Sequence, residues 1–551
     1  MVKKKDYNWH DESDILCISE DGKTVFGVYD NSITSVEIPS GIEVIGKKAF
    51  MNCWLLRKVV LPQSVRIIKD CAFCGCKYLS EINLPDGLIV IGESAFESCE
   101  FLKSIIIPQT VTSIGEYAFS YCRSLEEMIL PQRLRSLEDG LFDWCKSLRR
   151  VEIPGSVKVL NDSALYFTNS LKEIIFNEGL ESLLDFTFRA NKGITSLNLP
   201  NSLKKVNGTF FMAFPNLRKI VLSEDNPHFR FMKGALYSYD LKRLVRVMPA
   251  KRGVFQVPDG VKEIDPYAFY NCRYITKVII PDSVIRIGTC AFLKCLSLEE
   301  VRLPKGLRKL IEFTFLNCYS LRKIDIPNSV RKIERTVFWH CNDLAEICLP
   351  KSLSSLGEMV LPYALKSLTI HPDNKYFTLV DDVLYNKDMT ELVVMRCGKD
   401  VKHFKIPDTV TKIGRYAFRY CDKLESVEFP EGLLEIGPAA FECCKSLKKV
   451  VLPNNIQRIE FSTFCECDSL ESITIPESVK YVDGYSLPFG LNELHIRHHD
   501  PQEAAQIFSK VKEKNYFRYF INTLYVPKGT GADYLNDPFW RKCITIKEDK
   551  K

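Results

Sequence analysis

The sequence contains no long hydrophobic run. None of its segments approaches the ~18 consecutive apolar residues that a membrane-spanning helix needs. The basic start, from Met1 to Lys5, is followed by polar residues rather than an apolar stretch, so it does not resemble a signal peptide. We therefore expect a chain without a membrane span. It is cytoplasmic if it is complete as given, and secreted or at the cell surface if an export signal has been removed.

Signatures of common enzymes are also missing. The chain has no Gly-x-Ser-x-Gly turn, no Walker A sequence, no His-Glu-x-x-His and no glycine fingerprint for a dinucleotide. Its net charge of +6 over 551 residues is too small to predict a nucleic-acid partner. These absences predict a protein that is not an enzyme, needs no cofactor and binds no nucleic acid.

Histidine is scarce, and three of the eight histidines lie in one short segment. His495, His498 and His499 stand beside Asp500. Imidazoles together with a carboxylate could bind zinc, but a polar loop leaving the last repeat explains the same residues. We favour the loop and predict no metal, with these three histidines as a weak candidate site.

The chain is rich in one repeat of 23 residues. Prolines recur at this interval from Pro39 to Pro154, and again from Pro258 to Pro350. An apolar segment with the spacing Leu-x-x-Ile-x-Leu precedes the proline, which predicts a short strand that the proline ends. The following Ala-Phe-x-x-Cys-x-x-Leu predicts a short helical turn. One such unit cannot enclose a core, so the units must stack into a predominantly β solenoid.

Phenylalanine and cysteine keep the same phase as the prolines. Twelve of the 21 cysteines occupy one repeat position between Cys53 and Cys467, and Thr168 and Asn191 replace cysteine at two others. This pattern predicts a ladder of small buried groups that hydrogen-bond weakly to a turn. Stacked side chains that point in parallel have poor geometry for a disulfide, so we expect these thiols to be unpaired.

The repeat unit resembles the BspA-like leucine-rich repeat. Its pattern is Leu-x-x-Ile-x-Ile-Pro-x-x-Val-x-x-Ile-Gly-x-x-Ala-Phe-x-x-Cys, which Thr112 to Cys122 match almost letter for letter. The resemblance covers residues 33–496. It implies a solenoid of the α/β type, a curved leucine-rich repeat arc with a parallel concave sheet and short helical turns. It also implies a function, because members of this family often act as surface adhesins or bind host extracellular matrix.

Two interruptions and two ends depart from the repeat. Apolar segments around a polar turn, as in Gly234–Tyr237 and Asp382–Tyr385, predict two inserted β-hairpins, and Asp21-Gly22 predicts a similar hairpin at the start. The hairpins could cover a solenoid edge or serve as contact surfaces. We expect one continuous solenoid with seven parts: 1–32 hairpin cap, 33–222 first repeat block, 223–257 first insertion, 258–370 second block, 371–406 second insertion, 407–496 third block and 497–551 C-terminal cap.

The concave sheet predicts a candidate binding surface. In a leucine-rich solenoid, the residue between the last two strand anchors points outward. The first block places unusually apolar residues there, which favours a partner-binding patch. β-branched residues also suit any strand, whether or not it binds a partner. The candidate residues are Val60, Ile106, Ile129, Ile175 and Val221.

The first insertion is basic, which predicts either a solvated hairpin or a site for an acidic partner such as an anionic glycan or protein. We predict a non-catalytic, monomeric solenoid that binds protein as a bacterial surface adhesin or host-interaction protein that contacts extracellular matrix. The alternatives are a glycan-directed binding protein and an intracellular scaffold. The basic residues nominated in the insertion are Lys242, Arg243, Arg246, Lys251 and Arg252.

Overall fold

The chain is built from short strands that return every 23 residues. A computed structural model describes residues 15–160, 164–183, 188, 191–396, 401–488, 490–508, 521–543 and 545–549. They belong to two compact units. Unit 1 comprises Met1–Thr276 and Arg286–Leu296, and unit 2 comprises Lys277–Ile285 and Ser297–Lys551.

Each regular coil begins with a first strand, the segment that precedes the repeat proline. Buried and outward-facing residues alternate along it, as the pleat of a strand requires. The first strands are Ser35–Glu37, Lys58–Val60, Glu81–Ile82, Glu127–Ile129, Arg150–Ile153, Glu173–Phe176, Ser196–Asn198, Lys219–Val221, Arg252–Gln256, Tyr274–Ile279, Glu300–Arg302, Lys323–Ile324, Glu346–Leu349, Ser367–Ile370, His403–Lys405, Ser426–Glu428, Lys449–Val451, Ser472–Ile475, Glu493–Ile496, Thr523–Val526 and Thr545–Glu548.

A second strand of two residues follows the proline in most coils. Its last residue points into the core, where apolar side chains of successive coils stack. The second strands are Val44–Ile45, Ile67–Ile68, Val90–Ile91, Ser113–Ile114, Ser136–Leu137, Val159–Leu160, Ser182–Leu183, Lys205–Val206, Glu263–Ile264, Arg286–Ile287, Lys309–Leu310, Lys332–Ile333, Ser355–Leu356, Lys412–Ile413, Glu435–Ile436, Arg458–Ile459 and Tyr481–Val482.

Neighbouring coils pair in parallel, with partners one repeat apart. Ser35 pairs with Lys58, and Lys58 pairs with Glu81. The predicted predominantly β solenoid is therefore confirmed within each unit. In the next coil, residues 102–108 take the place of the first strand but form no regular strand. Before this break, the Asn83 side chain bonds the backbone N–H and C=O of Leu61 at 3.0 and 2.9 Å, in place of a backbone partner.

The return segment of each coil consists of linked turns. Cys53 N donates to Phe50 O at 3.1 Å within one turn, whereas Phe50 N donates to Ala72 O of the next coil at 2.8 Å. Lys48 and Asn52 have left-handed φ values of 60° and 63°. These left-handed residues prevent a continuous helix, so the predicted helical turn becomes a ladder of turns bonded from coil to coil.

Phenylalanine rings and cysteine thiols fill the centre of the coils. The rings of Phe73 and Phe96 stack with centroids 5.4 Å apart. Cys122 Sγ donates to Phe96 O at 3.2 Å, which confirms the predicted weak hydrogen bond to a turn. Burial raises the pKa of Cys122 to about 12, so this thiol is not a nucleophile at neutral pH.

One cysteine of the ladder departs from the prediction that all of these thiols are unpaired. Eleven of its twelve members are free thiols, but Cys421 is disulfide-bonded, so the prediction is wrong at this position. Cys421 belongs to the first regular coil after the second insertion. One repeat earlier the sequence has Gly398 instead of a cysteine, and this position lies outside the described residues.

The insertions and the N-terminal cap are antiparallel. The cap pairs Leu16–Ile18 with Thr24–Val28. Each insertion contains the predicted hairpin and one additional strand that precedes it. The strands are Phe229–Met232, Ala235–Ser238 and Arg243–Val247 in the first insertion, and Phe377–Val380, Val383–Asn386 and Glu391–Met395 in the second.

Helices are few and short. The α-helices are Gly208–Phe211, Pro501–Gln506 and Gly531–Asn536, and Trp540–Lys542 is a 3-10 helix. The helix Pro501–Gln506 opens the C-terminal cap, and residues 509–520 of this cap lie outside the described residues. Among the helices of the described ranges, none combines the length and apolar character needed to cross a bilayer.

Candidate functional site

The first strands of unit 1 present apolar side chains to solvent. We call Val60, Ile106, Ile129, Ile175 and Val221 the apolar row. Ile106 is 87% exposed, Ile129 47% and Val221 37%, while Val60 and Ile175 are half-buried. The alternation within each strand explains this placement, because the flanking residues point into the core. Ile106, the most exposed member, lies in segment 102–108, which forms no regular strand, and its neighbours Ile105 and Ile107 point inward.

The apolar row contains one charged position between two of its members. Ile129 pairs with Glu152, and Glu152 pairs with Ile175. Arg150 Nη2 lies 3.1 Å from Glu152 Oε2, and Asn177 Nδ2 donates to Glu152 Oε1 at 3.1 Å. The carboxylate is therefore satisfied within the protein.

The corresponding positions of unit 2 are more polar. A hollow of about 340 Å³ lies on this face. Its walls include Arg302 and Asp325, and Lys277 and Glu300 form an ion pair of 2.9 Å beside it. The same strand position thus accepts charged residues, so exposure of β-branched side chains is not a requirement of the fold.

The five basic residues nominated in the first insertion have different environments. Lys242 and Arg252 are exposed and Lys251 is half-buried. Arg243 forms an ion pair of 2.6 Å with Asp265.

The prediction that Arg246 belongs to a basic surface is wrong, because its side chain is only 1% exposed. It donates to the carbonyl oxygens of Tyr267 and Tyr270 at 2.6 and 2.9 Å. These carbonyls end turns of the next coil, and the guanidinium satisfies them in the interior. The charge count alone could not distinguish this structural arginine from the exposed ones.

The three candidate histidines do not converge. His498 is fully buried, His499 is exposed, and His495 stacks on Tyr525 with ring centroids 4.4 Å apart. His495 Nδ1 lies 3.2 Å from Asp549 Oδ1. Within the described ranges, no group of three or more histidine, cysteine or acidic side chains is arranged to hold a metal ion. The geometry therefore does not support the zinc alternative.

His498 makes the C-terminal cap sensitive to pH. Its Nε2 lies 3.0 Å from the carbonyl oxygen of Val479, which can only accept, so Nε2 carries the proton. Burial lowers the pKa of His498 below its ordinary value of 6.5, and nearby Lys480 adds to the lowering. These effects outweigh the hydrogen bond to the Val479 carbonyl and the nearby Glu477 and Glu503, which raise the pKa. Because the unfolded chain binds this proton more readily, stability is lost as pH falls through 6.5, by at most about 1.4 kcal/mol per pH unit.

Hydrogen exchange between pH 7.5 and 5.5 measures this effect. We expect segment 479–482 to lose protection, after correction for the intrinsic exchange rate, and the loss to disappear in His498→Gln. The exposed His499→Gln variant should behave as the wild type. Equal pH dependence in all three proteins would contradict the assignment to His498.

Comparisons with known proteins agree with the repeat architecture. A profile of the BspA type leucine rich repeat region matches residues 22–148, 112–232, 262–388 and 395–497. No curated protein matches the chain significantly.

Several solved structures are similar to the chain. One is a leucine rich cell surface protein from Faecalibacterium prausnitzii, with 24% identity, 66% of this chain and 94% of that chain covered, and a TM-score of 0.46. Another is a leucine-rich repeat protein from Bacteroides ovatus, with 23% identity and a TM-score of 0.45. The match covers 87% of this chain and 99% of that chain. A third is a leucine rich repeat protein from T. pallidum, with 29% identity and a TM-score of 0.30. The match covers 37% of this chain and 86% of that chain. With most of its length matched by the repeat profile, the chain belongs to the family of BspA-type leucine-rich repeat proteins.

Proposed function

We propose that this protein is a non-catalytic scaffold that binds a protein partner through the apolar row of unit 1. The observation that carries the proposal is the 87% exposure of Ile106, together with the exposure of Ile129 and Val221 on the same face. A leucine-rich repeat sheet is a preformed surface, so binding requires little ordering of the protein. Exposed apolar side chains on such a surface gain free energy when a partner removes them from water.

The contrast between the units supports a binding role over simple strand preference. Strand propensity favours β-branched residues at any first-strand position. Unit 2 nevertheless carries Arg302, Asp325 and Glu428 at the positions that isoleucine and valine occupy in unit 1. Unit 2 also has Ile279 and Val451 at this position, but its other residues there are mostly polar or charged. Apolar residues are therefore more frequent at this position in unit 1, which fits an adhesin or host-interaction protein that contacts extracellular matrix.

A triple substitution tests the apolar row. Ile106→Thr, Ile129→Thr and Ile175→Thr keep the β-branched shape but replace an apolar ethyl group with a hydroxyl. We expect at least about tenfold weaker binding to purified extracellular matrix proteins, because about 1.4 kcal/mol lost from the interface weakens affinity tenfold. Surface plasmon resonance against a panel of immobilised matrix proteins measures the change.

The matched control is Val451→Thr, the same kind of change at a 53%-exposed outward position of unit 2. It should leave both affinity and melting temperature unchanged. Undiminished binding of the triple variant would overturn the apolar row as the contact surface. Absence of wild-type binding to every matrix protein would overturn the host-matrix assignment.

A further inference from the structure

The two insertions share one backbone framework. Each consists of three antiparallel strands with the same register and the same irregularity in the second pairing. Each also begins with the same cap: Asn226 Oδ1 accepts from Phe229 N at 2.8 Å, and Asn374 Oδ1 accepts from Phe377 N at 2.9 Å. Corresponding residues can therefore be compared position by position.

The insertions differ in charge. Residues 223–257 contain seven basic and three acidic side chains, whereas residues 371–406 contain six of each. Three exposed cations of the first insertion become neutral or acidic in the second. The corresponding pairs are Arg230 and Thr378, Lys233 and Asp381, and Lys242 and Thr390.

Most cations of the first insertion lack an anionic partner inside the protein. Exposed cations of the regular coils commonly pair with a carboxylate of the adjacent coil, as Lys58 does with Glu81 at 3.2 Å. In the insertion, Arg243 is paired with Asp265. The buried Arg246 contacts carbonyl oxygens instead of a carboxylate. Within the described residues, the other five cations also form no ion pair: Arg230, Lys233, Lys242, Lys251 and Arg252.

Two of these cations are held in place by tyrosine rings. The guanidinium of Arg230 lies 4.4 Å from the ring centroid of Tyr239, and Arg230 Nε donates to Tyr239 O at 3.1 Å. The guanidinium of Arg252 lies 4.2 Å from the ring centroid of Tyr274. Stacking fixes the orientation of a guanidinium and leaves most of its N–H donors free for carboxylate or sulfate oxygens.

Three of the cations lie on or near the first inserted strand and the turn that follows it. Arg230 is on the first strand, and Lys233 is in the turn that follows it, so their backbones are separated by ~10 Å at about 3.3 Å per residue. Lys251 lies near the same turn, because its Cδ is 3.4 Å from the position that a Cβ on Gly234 would occupy. Such an arrangement suits a ligand with several negative charges along its length.

The exposed surface of the insertion is mainly charged. A protein interface needs an apolar centre to exclude water, whereas a single large exposed aliphatic side chain, Val254, is present in the described residues 223–257. From residue 228 to residue 252, every exposed side chain is charged or is a tyrosine: Arg230, Lys233, Tyr239, Asp240, Lys242, Arg243 and Arg252. We propose that the first insertion binds a linear anionic polysaccharide carrying carboxylate or sulfate groups. This binding is independent of the apolar row.

The second insertion supplies the residues for the test. The variant Arg230→Thr, Lys233→Asp and Lys242→Thr carries side chains that the same framework already accepts, and it removes the insertion's excess of four positive charges. Arg243 stays in place to keep Asp265 paired. Titration with dextran sulfate at about 50 mM salt should show at least about tenfold weaker binding than wild type, and a shallower dependence of affinity on salt, since fewer counterions are released.

The reverse variant, Thr378→Arg, Asp381→Lys and Thr390→Lys, should bind dextran sulfate more tightly than wild type. Circular dichroism should show unchanged folding for both variants. Uncharged dextran should not bind. Equal affinity of the wild type and the first variant would overturn the proposal. Tighter binding of poly-glutamate than of dextran sulfate would also overturn it, in favour of an acidic protein partner.

Discussion

Phe96→Ala is expected to lower the free energy of unfolding of unit 1 by about 3–5 kcal/mol. The Phe96 ring is fully buried and stacks between Phe73 and Phe119, with both centroid distances 5.4 Å. Alanine removes both ring contacts and leaves a cavity. The neighbouring coils cannot close it, because their backbones are hydrogen-bonded at a fixed spacing. Denaturant unfolding followed by circular dichroism measures the loss.

Phe101→Ala is the matched control, since it deletes the same side chain in the same coil. Phe101 is 47% exposed and contacts Tyr78 at the surface, with centroids 4.8 Å apart. We expect a loss of about 1 kcal/mol or less. If the two variants were equally stable, the phenylalanine ladder would not be the core of the coils.

The repeat positions were predictable from the sequence because each coil buries the same face. Pro62 and Pro85 each follow a first strand and are 23 residues apart. The paired residues of these two strands are separated by the same 23 residues. Stacking requires identical repeat positions to lie next to each other. The common spacing of proline, phenylalanine and cysteine therefore predicts the strand register between neighbouring coils. Cys122 is buried for this reason.

The backbone of the turns could not be predicted in the same way. Left-handed φ values usually require glycine or asparagine. Here they occur at Asn52 and Gly75 but also at Tyr121 and Trp144, in equivalent positions of different coils. Hydrogen bonds between coils impose this conformation on side chains that do not favour it. No composition rule applied to one coil could identify these residues.

The position of the candidate surface was predictable from the sequence, but the exposure of each of its side chains was not. Alternation along each strand places Ile129 and Ile175 outward, yet one is exposed and the other half-buried. The high exposure of Ile106 accompanies a break in the strand ladder, and the Asn83 side chain that replaces backbone pairing nearby carries no signal in the repeat. The burial of Arg246 likewise depends on carbonyl groups of the following coil.

Trp540→Ala is expected to destabilise the C-terminal cap of unit 2 by about 3–5 kcal/mol. Trp540 is fully buried, and its ring meets Phe508 edge to face at 5.7 Å and Phe539 at 4.8 Å. Its Nε1 donates to the carbonyl oxygen of Pro501 at 2.9 Å, which ties the last segment to the helix Pro501–Gln506. Alanine leaves a cavity and removes this hydrogen bond, so hydrogen exchange in Glu493–Ile496 and Thr523–Val526 should accelerate.

Trp54→Ala is the appropriate control, because Trp54 is 56% exposed in unit 1. We expect it to change the free energy of unfolding by less than about 1 kcal/mol. Faster exchange should remain confined to the last strands of unit 2, since in a solenoid each coil contacts only its neighbours. Exchange that stayed at the wild-type rate in those strands would show that Trp540 does not hold the cap. Uniformly faster exchange throughout unit 2 would show that the cap stabilises the whole stack rather than its end.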